Sequence, residues 1–195
     1  GTVEAADSTV TRSKPGDAVF SGRNGAFAEY LRVREDRVVA LKPDNVSFEQ
    51  AAGVAIAAVT ALQALRDQGQ VKAGQKVLVN GASGGVGTFA VQIAKALGAQ
   101  VTGVCSTRNV DLIRSLGADR VIDYTREDFS RGSERYDVII DNVGNHAYLN
   151  LRRVMTPQGR LVVVGGPGGR WIGPLTKFIE ASVVDGAGPV RTALQ

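Results

Sequence analysis

Three unbroken apolar runs constrain the fold of this chain more than any other feature: Val77-Leu78-Val79, Val138-Ile139-Ile140 and Leu161-Val162-Val163-Val164. A strand with one solvated face alternates apolar and polar residues, so runs without alternation belong to strands covered on both faces, as in a parallel sheet. Between the runs the period changes. Val86, Ala90, Ile93, Ala94 and Leu97 recur at helical spacing and define one face of a helix over 85–97. The same reading places strands at 76–80, 100–105, 120–123, 136–141 and 160–164, and helices at 109–116, 145–154 and 175–184. Such alternation of strand and helix predicts an α/β domain with a doubly wound parallel sheet.

The first 45 residues have another texture. Lys14-Pro15-Gly16-Asp17 is a turn signal, Val19-Phe20 is a short apolar pair, and 27–33 and 37–41 read as strands. So few short strands cannot enclose a core of their own. Pro43-Asp44-Asn45 closes this segment. Ser47 followed by Gln50 then has the spacing of a capping box, and it opens an alanine-rich helix over 51–66.

Composition removes several function classes. At 195 residues and 44% hydrophobic, the chain can bury a full core. A single cysteine, Cys105, excludes an internal disulfide and a four-cysteine zinc site, and a single histidine, His146, excludes a His-rich metal centre, so no metal site is expected. Cys105 reads as an inert small hydrophobe, and His146 as a surface or capping residue. No uninterrupted apolar run reaches about 18 residues, so no membrane span is expected. Residues 1–13 hold no apolar signal core, and a reducing cytoplasm is the expected location. The net charge is +4, but Arg32, Arg34 and Arg37 are interleaved with Glu35 and Asp36. Arg126, Arg131 and Arg135 alternate in the same way with Glu127, Asp128 and Glu134. These are solvated faces, and no nucleic-acid surface is expected.

Glycine is over-represented, with 24 residues against about 14 at average usage, and the most telling cluster is Asn80-Gly81-Ala82-Ser83-Gly84-Gly85-Val86-Gly87. Gly81, Gly84 and Gly87 recur every third residue, directly after an apolar strand and at the opening of a helix. That context is what a diphosphate-binding turn requires. The first glycine turns the chain, the middle one lets a diphosphate approach the backbone, and the last lets helix and strand pack closely. Ser83, Gly85 and Val86 complete the turn, and the helix start offers N–H groups to an anion. The plainer reading is a tight strand-to-helix turn with no ligand. A nucleoside-triphosphate loop does not match, because Val86-Gly87-Thr88 stands where Gly-Lys-Ser/Thr is needed.

The second strand of such a domain selects the coenzyme. An acid there binds the ribose hydroxyls of NAD. Here the strand ends in Ser106, Thr107 and Arg108. Two hydroxyls and a guanidinium attract a 2′-phosphate, so NADPH (NADP) is the expected cofactor. Arg108 also admits a bland role as a solvated residue at a helix start.

At this point the sequence resembles a known family, the medium-chain dehydrogenase/reductase superfamily in its zinc-independent quinone-oxidoreductase branch. The resemblance rests on 16–20, 25–30, 57–65, the glycine turn, Leu116-Gly117-Ala118-Asp119 with Val121-Ile122-Asp123-Tyr124, 137–144 and 159–165, in family order. It implies a partial GroES-like catalytic segment over 1–45 and an NADP-binding Rossmann domain over 46–195. Family chains are longer, and by that analogy the start of the catalytic domain, its return and the last strand of the sheet are expected to be missing. A missing strand would leave an edge open for pairing with a second copy. The resemblance also implies that Thr60 lies beside the cofactor's ribose and phosphates, Tyr124 near the adenosine half, Asn142-Val143-Gly144 beside the cofactor, and Gly165-Gly166 along the nicotinamide. Thr60 as a helix hydroxyl, Tyr124 as an edge residue and Asn142 as a turn former are the plainer alternatives. Ile56 occupies the place of a zinc-ligand cysteine in zinc-dependent relatives, and an aliphatic side chain cannot bind metal. Trp171 is a candidate anchor over the substrate mouth, although ordinary packing explains it equally.

The implied activity is hydride transfer from NADPH to a quinone, enone or similar conjugated carbonyl, a small-molecule substrate. The sequence nominates no catalytic acid. The short-chain dehydrogenase alternative needs a Tyr with a Lys four residues on. Tyr30, Tyr124, Tyr136 and Tyr148 are followed at that spacing by Arg34, Asp128, Ile140 and Arg152. The rival reading is a protein that binds NADP(H) without catalysis.

Overall fold

A strand persists only where a neighbour takes up its backbone hydrogen bonds, and few such neighbours exist near the start of the chain. The computed structural model describes residues 1–22, 25–36, 39–165 and 190–192. The chain divides into two units, Gly1–Val59 and Thr60–Gln195, so the division falls inside a helix rather than between 45 and 46. In the first unit β1 (Val19–Ser21) pairs antiparallel with β2 (Val39–Leu41), with Thr2 bridged to Ala18. The strand expected over 27–33 does not form. Phe27 and Tyr30 stand exposed there, because the alternation finds no sheet to join and no core to cover. This small antiparallel sheet fits a partial GroES-like segment.

Ser47 caps α1 (Phe48–Gly53) as expected: its Oγ accepts from Gln50 N, and the Gln50 side chain accepts from Ser47 N. Such a cap contributes about 1 kcal/mol. A π turn (Val54–Ala58), α2 (Val59–Leu62) and a second π turn (Gln63–Gln68) continue α1 as one helix. Together they form a 21-residue helix, Phe48–Gln68, long and apolar enough by length and composition to cross a bilayer. The helix meets this test on average hydropathy, although no uninterrupted apolar run within it reaches 18 residues. Glu49, Thr60 and Gln63 interrupt the apolar run, but they do not make the helix polar on average. The helix sends Ala61, Ala64 and Leu65 into the protein core.

In the second unit β3 (Lys76–Asn80), β4 (Gln100–Cys105), β5 (Arg120–Asp123) and β6 (Tyr136–Asp141) have the expected bounds. With β7 (Met155–Val163) and β8 (Val190–Thr192) they form a parallel sheet in the order β5-β4-β3-β6-β7-β8. The sixth strand expected to be missing is therefore present. β8 pairs along 161–163 and covers an edge of β7 that would otherwise expose its N–H and C=O groups. β7 starts five residues before the expected strand, since Met155 already pairs with Tyr136 ahead of a bulge.

Each apolar run feeds two cores, as strand alternation requires. Val77, Val79, Val138, Ile140 and Val162 face one layer, with Ala90, Val91 and Ala94 of α3 (Gly85–Ala96) and Ile113 of α4 (Val110–Ser115). Leu78, Ile139, Leu161 and Val163 face the other, with Tyr148 and Leu151 of α5 (Tyr148–Arg153). Fully burying each such side chain contributes roughly 1.5–3 kcal/mol. The sheet is thus doubly wound, and its strand order reverses between β3 and β6. Ligands bind outside the carboxyl ends of strands at such a reversal. The helix expected over 175–184 lies outside the described residues, as do Trp171 and Gly166.

Candidate functional site

β3 and β6 end at the reversal in Asn80 and Asp141, both buried polar residues at the end of an apolar run. A buried carboxylate must be hydrogen-bonded to be tolerated. Asp141 Oδ1 accepts from Asn80 Nδ2 at 2.9 Å, Val143 N at 3.2 Å and Gly144 N at 2.9 Å. Asn80 Nδ2 also donates to Asn145 Oδ1 at 3.0 Å, and Asn80 O accepts from both Asn142 N (3.2 Å) and Asn142 Nδ2 (2.9 Å). The ends of the two strands are knitted together this way, and the loop after β6 is held against the turn after β3.

The turn itself is built by its glycines. Gly81 has φ +75°, and a Cβ there would stand 2.7 Å from Val143 Cγ2. A Cβ on Gly87 would fall 2.1 Å from Gly81 O, so helix and turn pack without side-chain space between them. Gly84 differs. Its φ is −79°, it is exposed, and a Cβ would meet only Gly81 O at 3.4 Å. Gly84 is the N-cap of α3 with no side-chain cap, and Ser83 supplies none. The first N–H groups of a helix have no partner within it, and they carry its positive dipole end. Gly85, Val86 and Gly87 open that helix.

One acceptor nearby is unmet. Asn142 Oδ1 is buried with no hydrogen-bond partner among the described residues. Leaving such a group unpaired costs about 1–3 kcal/mol, which a donor from a bound molecule would recover. The structure therefore gathers Gly81, Asn142 and Val143 into one place, with Gly165 joined to the same strand end through Gly165 N and Asp141 O at 3.3 Å.

A second group forms at the ends of β4 and β5, linked to the turn by the Ala82 N–Val104 O bond at 2.9 Å. Ser106 Oγ accepts from Asn109 Nδ2 at 3.3 Å, which leaves its proton available. Arg108 is exposed and forms no ion pair among the described residues. Tyr124 is exposed, and its N donates to Cys105 O at 3.0 Å. Thr107 departs from the expectation. Its hydroxyl donates to Asp123 Oδ2 at 2.5 Å, so of the two hydroxyls expected to attract a phosphate only that of Ser106 is uncommitted. The Thr107 hydrogen bond is the main reason that the Asp123 carboxyl is held below the usual carboxylate range. Thr60 is half-buried on the Phe48–Gln68 helix, and no hydrogen bond joins it to the turn.

Cys105 is buried, and burial followed by the nearby Asp123 charge pushes its thiol up, which agrees with an inert role. His146 is partly buried and does not cap a helix. α5 begins at Tyr148 after Ala147, because Asp141 and Asn80 hold residues 143–145 in the loop. The imidazole is largely covered and packs on Phe129 at 4.6 Å between ring centres. Its Nδ1 lies 2.9 Å from Asn145 Oδ1, and its Nε2 lies 3.4 Å from Asp128 Oδ1.

Asn80, Asp141, Asn145 and Asp123 are polar site residues beyond those expected from the sequence. A polar residue closing an apolar run was the available signal for Asn80 and Asp141. Asp123 binds Thr125 locally, but its contact with Thr107, in the turn after β4 and 16 residues away, has no signal in the residues around it.

Residues 85–183 match a family model described as zinc-binding dehydrogenase. A 2-methylene-furan-3-one reductase of Solanum lycopersicum is 34% identical over 217 aligned positions, covering 97% of this chain and 55% of its own length. A chloroplastic NADPH-dependent alkenal/one oxidoreductase of Arabidopsis thaliana is 35% identical, again covering 97% of this chain and 55% of its own. Among solved structures, the quinone oxidoreductase of Escherichia coli complexed with NADPH superimposes with a TM-score of 0.81 at 28% identity, over 98% of this chain and 60% of that one. The chain spans somewhat more than half the length of these relatives.

Proposed function

This chain belongs to the zinc-binding dehydrogenase family, within the medium-chain dehydrogenase/reductases, and from that premise we propose that it is an NADPH-dependent oxidoreductase that reduces quinones, enones or 2-alkenals without zinc. One arrangement carries the reading: the glycine turn and the uncapped start of α3 adjoin the unpaired Asn142 Oδ1 at the reversal of the sheet. The residues suit a dinucleotide. The start of α3 is open to a diphosphate at Gly84, and Asn142 Oδ1 can accept from a ribose hydroxyl or an amide of the coenzyme. Ser106 and Arg108 would take a 2′-phosphate, Tyr124 would lie by the adenosine half, and Val143 and Gly165 would lie along the cofactor. Thr60 would flank the ribose and phosphates.

When bound, the reduced coenzyme supplies a hydride to the electrophilic carbon of a conjugated carbonyl. The chain's own residues bind and orient, and the buried Asp141 keeps the loop over 142–144 in place while they do so. A conjugated acceptor can spread the arriving charge onto its own oxygen, so the reaction needs no metal to polarise it. Ile56 offers no ligand where zinc-dependent relatives have one.

The names of relatives support this reading, and because the chain spans about half their length, binding of NADPH without turnover is the second reading. Incubating the chain with NADPH and either a simple benzoquinone or a 2-alkenal separates the two. Loss of the reduced coenzyme's absorbance with an acceptor present supports the oxidoreductase. Binding with no oxidation of NADPH by any acceptor of these classes supports the second reading.

A further inference from the structure

Resting on the coenzyme reading above, we propose that Asp123 sets the coenzyme preference of the site by opposing the 2′-phosphate that Arg108 attracts. β4 and β5 are neighbours in parallel register, with Cys105 opposite Asp123, so the turn after β4 meets the end of β5. Asp123 Oδ2 accepts from Thr107 Oγ1 at 2.5 Å, and Asp123 Oδ1 accepts from Thr125 Oγ1 at 2.8 Å and Thr125 N at 3.0 Å. The short Thr107 contact takes that hydroxyl's proton to the carboxylate and away from any ligand, and Thr107 Oγ1 also lies 3.1 Å from Thr125 Oγ1. The Asp123 side chain is 13% exposed, and Arg126 Nε is 3.9 Å from Oδ2 at the end of a side chain that is 80% exposed. That contact is too long for a hydrogen bond, and water screens it. The carboxylate is thus a standing negative charge, stabilised by its three donors.

A phosphate oxygen in hydrogen-bond reach of Thr107 would lie about 5 Å from that charge. Like charges at such a distance repel. A bare ribose hydroxyl at the same place feels no such repulsion, and it can donate to the Thr107 oxygen, which presents only lone pairs. Asp123 and Thr107 favour an unphosphorylated ribose, while Ser106 and Arg108 favour a phosphorylated one. The acid that the end of β4 lacks is supplied from the neighbouring strand.

Replacing Asp123 with Asn reverses the local arrangement. The Asn amide can still accept from Thr125 N through Oδ1, while its Nδ2 donates to Thr107 Oγ1 and frees that hydroxyl proton for a phosphate. The test is calorimetric titration of the full chain with NADPH and NADH at neutral pH, for wild type, D123N and the double variant T107V/D123N. D123N is expected to raise the preference for NADPH over NADH about tenfold. Removing the freed hydroxyl in the double variant takes back part of that gain. If D123N does not fold, D123S removes the same charge and is read the same way. An unchanged or reduced preference, with both coenzymes still bound, overturns the role of Asp123 and leaves the coenzyme reading standing. If wild type binds neither coenzyme, that reading falls and this inference falls with it.

Discussion

Gly81, Gly84 and Gly87 are one residue type under three separate demands. Gly81 needs a positive φ, Gly87 has no room for a Cβ, and Gly84 has both room and an ordinary φ. Nothing in the fold demands glycine at position 84, so the absence of a side chain there matters for what approaches from outside. Gly84→Val should therefore fold, losing no more than about 1 kcal/mol at the N-cap, while weakening NADPH binding at least tenfold. Gly87→Ala should destabilise by roughly 1–3 kcal/mol, because backbone atoms must shift to admit it. Urea unfolding beside a coenzyme titration checks both. Equal destabilisation of the two variants would contradict the assignment. At this scale the sequence was partly legible. The glycine spacing announced the turn, because a turn is made by residues adjacent along the chain. The Asn80–Asp141 and Thr107–Asp123 contacts join residues 61 and 16 positions apart, so neither is written in adjacent residues.

Elements in this chain are joined by a few polar contacts whose worth depends on pH. Asp119, after α4, accepts from Lys95 Nζ of α3 at 2.8 and 2.9 Å and from Val101 N of β4 at 2.6 Å. The Lys95 contact is the leading reason that the Asp119 carboxyl is held below its ordinary value near 3.8. A carboxyl depressed in the folded state stabilises fully above its unfolded value and loses that contribution as pH falls through the folded value. Asp119→Asn should accordingly lower the thermal midpoint at pH 7, and the gap to wild type should close as the pH drops below about 3.8. A gap that stays constant between pH 7 and pH 2 would contradict it. Strand bounds for β3 to β6 were legible because run length and period agreed there. The expected strand over 27–33 failed because alternation alone does not supply a partner. β7 began early because pairing with β6 extended it through Pro157 and Gly159, residues that argue against a strand when read locally.

On the scale of the whole molecule, two halves of a parallel sheet diverge from β3 and β6, and the polar groups described above gather where they part. The doubly wound architecture was legible because unbroken apolar runs admit few other solutions. The last strand was not, since three residues of backbone pairing leave little trace in a sequence. In the function proposed above, the turn after β3 and the loop after β6 grip a dinucleotide between them. Amide hydrogen exchange of the full chain, with and without saturating NADPH, tests it most directly. Slowed exchange is expected chiefly at 84–88 and 142–145, the start of α3 and the loop held by Asp141. Exchange in those two segments that is unchanged by NADPH, under conditions where the coenzyme is bound, would contradict it.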